Sequence, residues 1–133
     1  KWASILLQDF NDLDSNLFDS NAILTYLNDS KRLEQWNLTN QNPGDLIQNY
    51  LSFFEKIKSY HQEFWKHLCH KKVGYQGLVY RIASEKIEMY RNVHQSERFV
   101  FAGFNALNKC EETIIQDLLF NQIADIYWDH DDF

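Results

Sequence analysis

Apolar residues recur at threes and fours along most of this chain, and only its last third changes period. Ile5, Leu6, Phe10 and Leu13, then Phe18, Ile23, Tyr26 and Leu27, predict short amphipathic helices between residue 2 and about 36. Asp19, Ser20 and Asn21 are suitable caps between them, and Ser30 suits a last turn ending near Trp36. The polar stretch from Asn37 to Asn42 reads as a loop, and Pro43 fits the first turn of the next helix, where no amide donor is needed. That helix is the clearest feature. Ile47, Tyr50, Leu51, Phe54, Ile57, His61, Phe64, Trp65 and Leu68 predict it from Asp45 to Lys71, a length of about 40 Å. Val73-Gly74-Tyr75 breaks it. A second helix follows from Gln76 to Val93, with Val79, Ile82, Ala83, Ile87 and Tyr90 on one face. Two long helices joined by a short turn predict an antiparallel helical hairpin.

From Arg98 the period shortens. Phe99-Val100-Phe101-Ala102-Gly103 reads as a buried strand, Asn108 as the cap of a helix from Lys109 to Asn121, and Ile123 to Trp128 as a second strand. Glu111 and Glu112 suit the first turn of that helix, where carboxylates meet the positive end of its dipole. The predicted architecture is mainly α: a helical region over 1–95, followed by a β-α-β segment over 96–133. Two parallel strands do not make a stable sheet, so this segment calls for a larger one to join. The chain opens on Lys1 and stops at Phe133, after an aromatic and acidic run resembling an unfinished strand and loop. An internal fragment of a longer protein is the expectation.

Composition agrees with a packed core. The 133 residues are 44% hydrophobic and 16% aromatic, with four Gly and one Pro, which disordered chains do not show. No apolar run reaches membrane-spanning length and no leader opens the chain. Two cysteines, Cys69 and Cys110, are too few for a disulfide framework and read as small hydrophobes of a reducing, cytoplasmic setting.

Charge is unevenly spread. Residues 1–55 carry three basic and eight acidic side chains, 56–98 nine and four, and 99–133 one and seven, giving −5, +5 and −6. Only the middle stretch has the sign to neutralise phosphates, through Lys56, Lys58, Lys66, Lys71, Lys72, Arg81, Lys86, Arg91 and Arg98. Tyr60, Trp65, Tyr75 and Tyr80 could stack on bases. A solvated face opposite an aromatic one explains the same pattern without a ligand.

Catalytic constellations are thin. His61, His67, Cys69 and His70 cluster without a recognised zinc spacing, and Asp129, His130, Asp131 and Asp132 alternate sides on an extended chain. There is no Gly-rich phosphate loop, nucleophile elbow or dinucleotide fingerprint. No catalytic, cofactor or metal residue is assigned.

Phe99 to Leu107, followed by Glu111-Glu112 and by Ala124 to Asp131, resembles a segment of AddB-type helicase–nuclease subunits. The likeness is to PD-(D/E)XK nuclease family proteins of the Bacteroides lineage. Leu7 to Asp14 and Tyr75 to Arg81 resemble that family too. The resemblance implies a cytoplasmic DNA-repair protein with a RecA-like helicase region and a nuclease domain elsewhere. In it, 1–95 would be a helicase 1B-like helical region and 96–133 a return to the RecA-like sheet. DNA and a helicase partner subunit would be its partners, and Mg²⁺ a cofactor of the parent rather than of this segment. Where such subunits place an acid before Gly-Phe, this chain has Ala102 before Gly103-Phe104, which removes the expected magnesium ligand. The functional expectation is a non-catalytic helicase-like segment that positions DNA through Lys66, Lys71, Lys72, Arg81, Lys86 and Arg91. Gly103, Phe104, Trp128 and Asp129 mark its structural motif. The alternative is a helical protein–protein interaction module with no DNA binding.

Overall fold

In the computed structural model, which describes residues 2–27, 29 and 45–128, the chain is mainly helical with a two-stranded parallel sheet. The elements are α1 (Trp2–Ser15), α2 (residues 20–27), α3 (Asp45–Lys71), α4 (Gln76–Glu85), α5 (Ile87–Val93), β1 (Phe99–Phe104), α6 (Lys109–Phe120) and β2 (Ala124–Trp128). The expected cap at Ser30, the loop at 37–42, Pro43 and the Asp129–Asp132 cluster lie outside the described residues. Two compact units result, one of residues 1–17 with 75–133, the other of 18–74. In the first unit α1 packs on α4 and α4 on α6.

Within the 18–74 unit, Asp19 caps α2, its Oδ1 accepting from the N–H groups of Asn21 (2.9 Å) and Ala22 (3.1 Å). Lys58 Nζ donates to Thr25 Oγ1 at 3.2 Å and Gln62 Nε2 to Asn21 Oδ1 at 2.7 Å. Rising numbers on α3 meet falling numbers on α2, so the two helices run antiparallel. Leu24, Ile57 and His61 are the buried residues here among those described. The α3 ladder closes at Lys72, whose φ of 56° lets Val73 N–H reach back to Leu68 O at 3.1 Å.

In the other unit the expected 76–93 helix is broken. Lys86, at φ −106° and ψ 9°, divides it into α4 and α5. The buried face also differs from the one predicted. Gly77, Leu78 and Ser84 are buried, whereas Val79 and Tyr90 are about half exposed (50% and 46%). The apolar stripe was legible. What packs instead is a face carrying Gly, Arg and Ser, because only a residue without a side chain lets α1 approach. A Cβ at Gly77 would lie 2.2 Å from the backbone oxygen of Asn11.

The β-α-β unit forms, but β1, expected as a buried strand, has no buried residue, and Val100 is 64% exposed. β1 and β2 pair in parallel, with Phe99 opposite Ala124 and Phe101 opposite Ile126. α6 crosses between them behind a capping box, in which Asn108 accepts from Glu111 N–H and Glu111 Oε2 from Asn108 N–H, both at 2.9 Å. Gly103, expected to end the strand, sits inside it at φ 75°, where the register slips between Ala102 and Phe104.

Candidate functional site

The most highly organised side chains lie where α1, α4 and α6 converge. Asp14 is 1% exposed, accepts a hydrogen bond from Tyr75 Oη and forms an ion pair with Arg81, whose Nε lies 2.8 Å from Asp14 Oδ1. Arg81 Nη2 also donates to Leu13 O at 3.2 Å. Cys110, fully buried, donates from Sγ to Asp14 O at 3.2 Å, and Ser84 Oγ donates to Arg81 O at 2.8 Å. Asn11 Oδ1 accepts from Gly77 N–H at 2.7 Å. Taking two charges out of water is costly, and here the cost is offset by close pairing and by donors to the remaining lone pairs. Burial pushes the Cys110 thiol up, and its contacts with Ser84 and Arg81 offset this only in part. The thiol is therefore neutral and inaccessible, which suits packing and not nucleophilic attack. This junction joins two stretches singled out in the sequence, Leu7 to Asp14 and Tyr75 to Arg81, although neither was expected to meet the other. Asp14 in an amphipathic helix and Gly77 in a helix's first turn were the available signals.

The junction bears directly on the six basic candidates. Arg81 is held by Asp14, and Arg91 Nε by Asp117 Oδ2 at 2.9 Å with both side chains largely buried. Lys66 is exposed and pairs with Glu63 at 2.8 Å. Lys71 and Lys72 are exposed at the end of α3, beside exposed His67 and His70. Lys86 is exposed at the α4–α5 break. The structure thus groups Lys66, Lys71 and Lys72 on α3 and the turn that follows it, and leaves Arg81 and Arg91 committed within their own unit. Of the aromatic candidates, Tyr60 is exposed and Trp65 half-buried, while Tyr75 is engaged by Asp14 and Tyr80 accepts from Gln76 Nε2 at 2.7 Å.

The motif residues divide similarly. Phe104 and Trp128 meet edge to face with ring centroids 6.4 Å apart, and Phe101 lies 6.3 Å from Phe104. Asp129 lies outside the described residues. On the outer face of the sheet, Arg98 grips Asp125 through two hydrogen bonds of 2.7 and 2.9 Å. That contact holds the Asp125 carboxyl below the usual range and raises Arg98.

An apolar groove of about 510 Å³ opens between α4, α5, β1 and α6. It is lined by the stripe predicted from sequence, Val79, Ile82, Ala83, Ile87 and Tyr90, together with Phe99, Phe101, Ile114 and Leu118, and among the described residues Lys86 is its one charged lining residue. No group of three His, Cys, Asp or Glu side chains able to hold a metal ion is found among the described residues. Nor, among them, is any helix long and apolar enough to cross a membrane. No protein-family model, curated protein or solved structure matches the chain.

Proposed function

We propose that this chain is a non-catalytic, helicase-like segment of a cytoplasmic DNA-repair helicase–nuclease, and that it positions DNA through the end of α3. In this reading α3, α4 and α5 belong to a 1B-like helical region, and β1, α6 and β2 belong to a RecA-like sheet. With Ala102 in place of an acid the segment takes no part in ATP hydrolysis. Mg²⁺ and the nuclease carboxylates belong to the parent, whose helicase partner subunit would join it on DNA. The observation that supports this reading is the exposed cationic end of α3, where Lys66, Lys71 and Lys72 stand with His67 and His70. Three lysines within two turns suit contact with phosphates, which need charge more than a fixed geometry.

Fluorescence anisotropy with labelled duplex and single-stranded DNA, over a range of salt, is the test. Binding that weakens with salt, with a slope reduced by about 0.9 for each lysine reversed in K66E, K71E and K72E on duplex DNA, is the expected result. Arg81 is unsuitable for such reversal, because its loss would strand the Asp14 carboxylate and disturb the fold. Affinity unchanged in the triple reversal would sink the DNA reading and leave the chain as a protein-interaction module.

A further inference from the structure

The exposed side of α3 carries more than charge. Lys56, Tyr60, Phe64, His67 and Lys71 follow one another at intervals of three and four residues, so they share one stripe of the helix, and all five are exposed. Tyr60 is 47% and Phe64 37% exposed. The core of this unit lies on another side of α3, marked by buried Ile57 and His61 and by half-buried Trp65 and Leu68. From Lys56 to Lys71 the stripe runs about 22 Å, at the rise of an α-helix. Its middle is aromatic and both of its ends are cationic. Over that length the only acid of α3 is Glu63, and Lys66 Nζ holds it at 2.8 Å. Packing this face into a protein interior would strip water from Lys56 and Lys71, and the one carboxylate between them is already paired. A fitting ligand brings negative charge and flat apolar surfaces together. In duplex DNA these are separated, with phosphates outside and base faces stacked on one another within. An unpaired strand presents both at once.

We infer that this stripe is a track for single-stranded DNA, with bases stacked on Tyr60 and Phe64 and the flanking phosphates held by Lys56 and Lys71. The inference rests on the DNA-positioning reading above and gives it a strand preference. Residues four apart on a helix have Cβ atoms about 5–6 Å apart, comparable to the spacing of successive bases in a stretched single strand. Every base has a face to stack, so the track tolerates any sequence. A duplex meets the lysines alone and gains nothing from the two rings.

Anisotropy on the full chain tests this with labelled oligothymidylate, an abasic deoxyribose-phosphate strand of equal length, a duplex and oligouridylate. Oligothymidylate should bind about tenfold more tightly than the abasic strand or the duplex. Y60A and F64A should each weaken oligothymidylate about tenfold while leaving duplex affinity and the salt slope unchanged, because they remove stacking and no charge. Y60W and F64W, which keep a stacking face, should retain the affinity. Circular dichroism shows whether each variant is folded, and the Tyr60 variants decide alone if F64A is not. Three results would overturn the track while leaving the lysines their part in DNA binding: equal affinity for duplex and oligothymidylate, equal affinity for the abasic strand, or no loss in Y60A. Tighter binding of oligouridylate would overturn the assignment to DNA, and binding of no nucleic acid would remove both readings.

Discussion

Two arginine–carboxylate pairs within the same compact unit carry the same chemistry in opposite surroundings. Asp14 and Arg81 join α1 to α4 in the interior, at 1% and 18% side-chain exposure, while Arg98 and Asp125 join β1's approach to β2 at 68% and 37%. Their distances differ by only 0.1 Å, 2.8 against 2.7 Å. Distance therefore says little about what each contributes. Water screens the outer pair and replaces either partner when the other is lost. No solvent replaces a partner at Asp14, so the inner pair is modestly stabilising when intact and strongly destabilising when halved.

The comparison breaks most sharply at Asp14. Asp14→Ala strands Arg81 and removes the acceptor of Tyr75, and chemical denaturation should register a loss of about 3–5 kcal/mol. Replacing both partners, as Asp14→Leu with Arg81→Met, should cost clearly less than either single change. If the double variant were as unstable as the singles, geometry rather than unpaired charge would set the cost. Next comes Gly77→Ala, which drives a methyl group against the Asn11 backbone oxygen and should cost about 1–3 kcal/mol, with α1 loosened first in hydrogen exchange.

A smaller effect is expected at Cys110. Its thiol titrates higher folded than unfolded, so its contribution is complete below the unfolded thiol's pKa and declines as pH rises through the folded one. In a Cys69→Ser background, alkylation of Cys110 at mildly alkaline pH should proceed no faster than unfolding; rapid labelling of native protein would contradict its burial. The least effect belongs to the outer pair. Asp125 titrates below its ordinary range, so its contribution is present above the unfolded carboxyl's pKa and fades as pH falls through the depressed one. Arg98→Ala should return the Asp125 carboxyl to its ordinary range in an NMR titration while leaving the melting temperature unchanged. A clear drop in melting temperature would erase the contrast between the two pairs.

Much of this architecture was legible where one local rule acted alone. The run from Ile47 to Leu68 supports a helix over 45–71 through period, and Val73-Gly74-Tyr75 stops it. Asn108 with Glu111 marks the start of α6 through its capping chemistry, and the apolar run from Phe99 marks β1. The break at Lys86 was not legible, because no Gly or Pro announces it. Gly103 was expected to end the strand but lies inside it at a slip of register, a distinction set by the pairing with β2.

The candidate site divides along the same line. Counting charges along the chain identifies Lys66, Lys71, Lys72, Arg81, Lys86 and Arg91 equally, and only the fold separates the exposed lysines of α3 from arginines bound to Asp14 and Asp117. The buried junction escaped a reading by hydrophobic period because its members are Gly, Asp, Arg, Ser and Tyr. A polar group can be interior only when its partners arrive from elsewhere in the chain, and Cys110 lies 96 residues from Asp14.

By itself, the sequence determined most of where helices and strands form, though not the break at Lys86 or the end of β1, since period, capping and breaking residues act over a few neighbours. Which face of α4 is buried, which arginines remain available and which apolar stripe is left open as a groove were decided by tertiary structure. The physical reason is that burial is a property of pairs of surfaces. A stripe such as Val79, Ile82 and Tyr90 states what a helix can cover, and only the close approach permitted at Gly77 determined that α1 would take the other side.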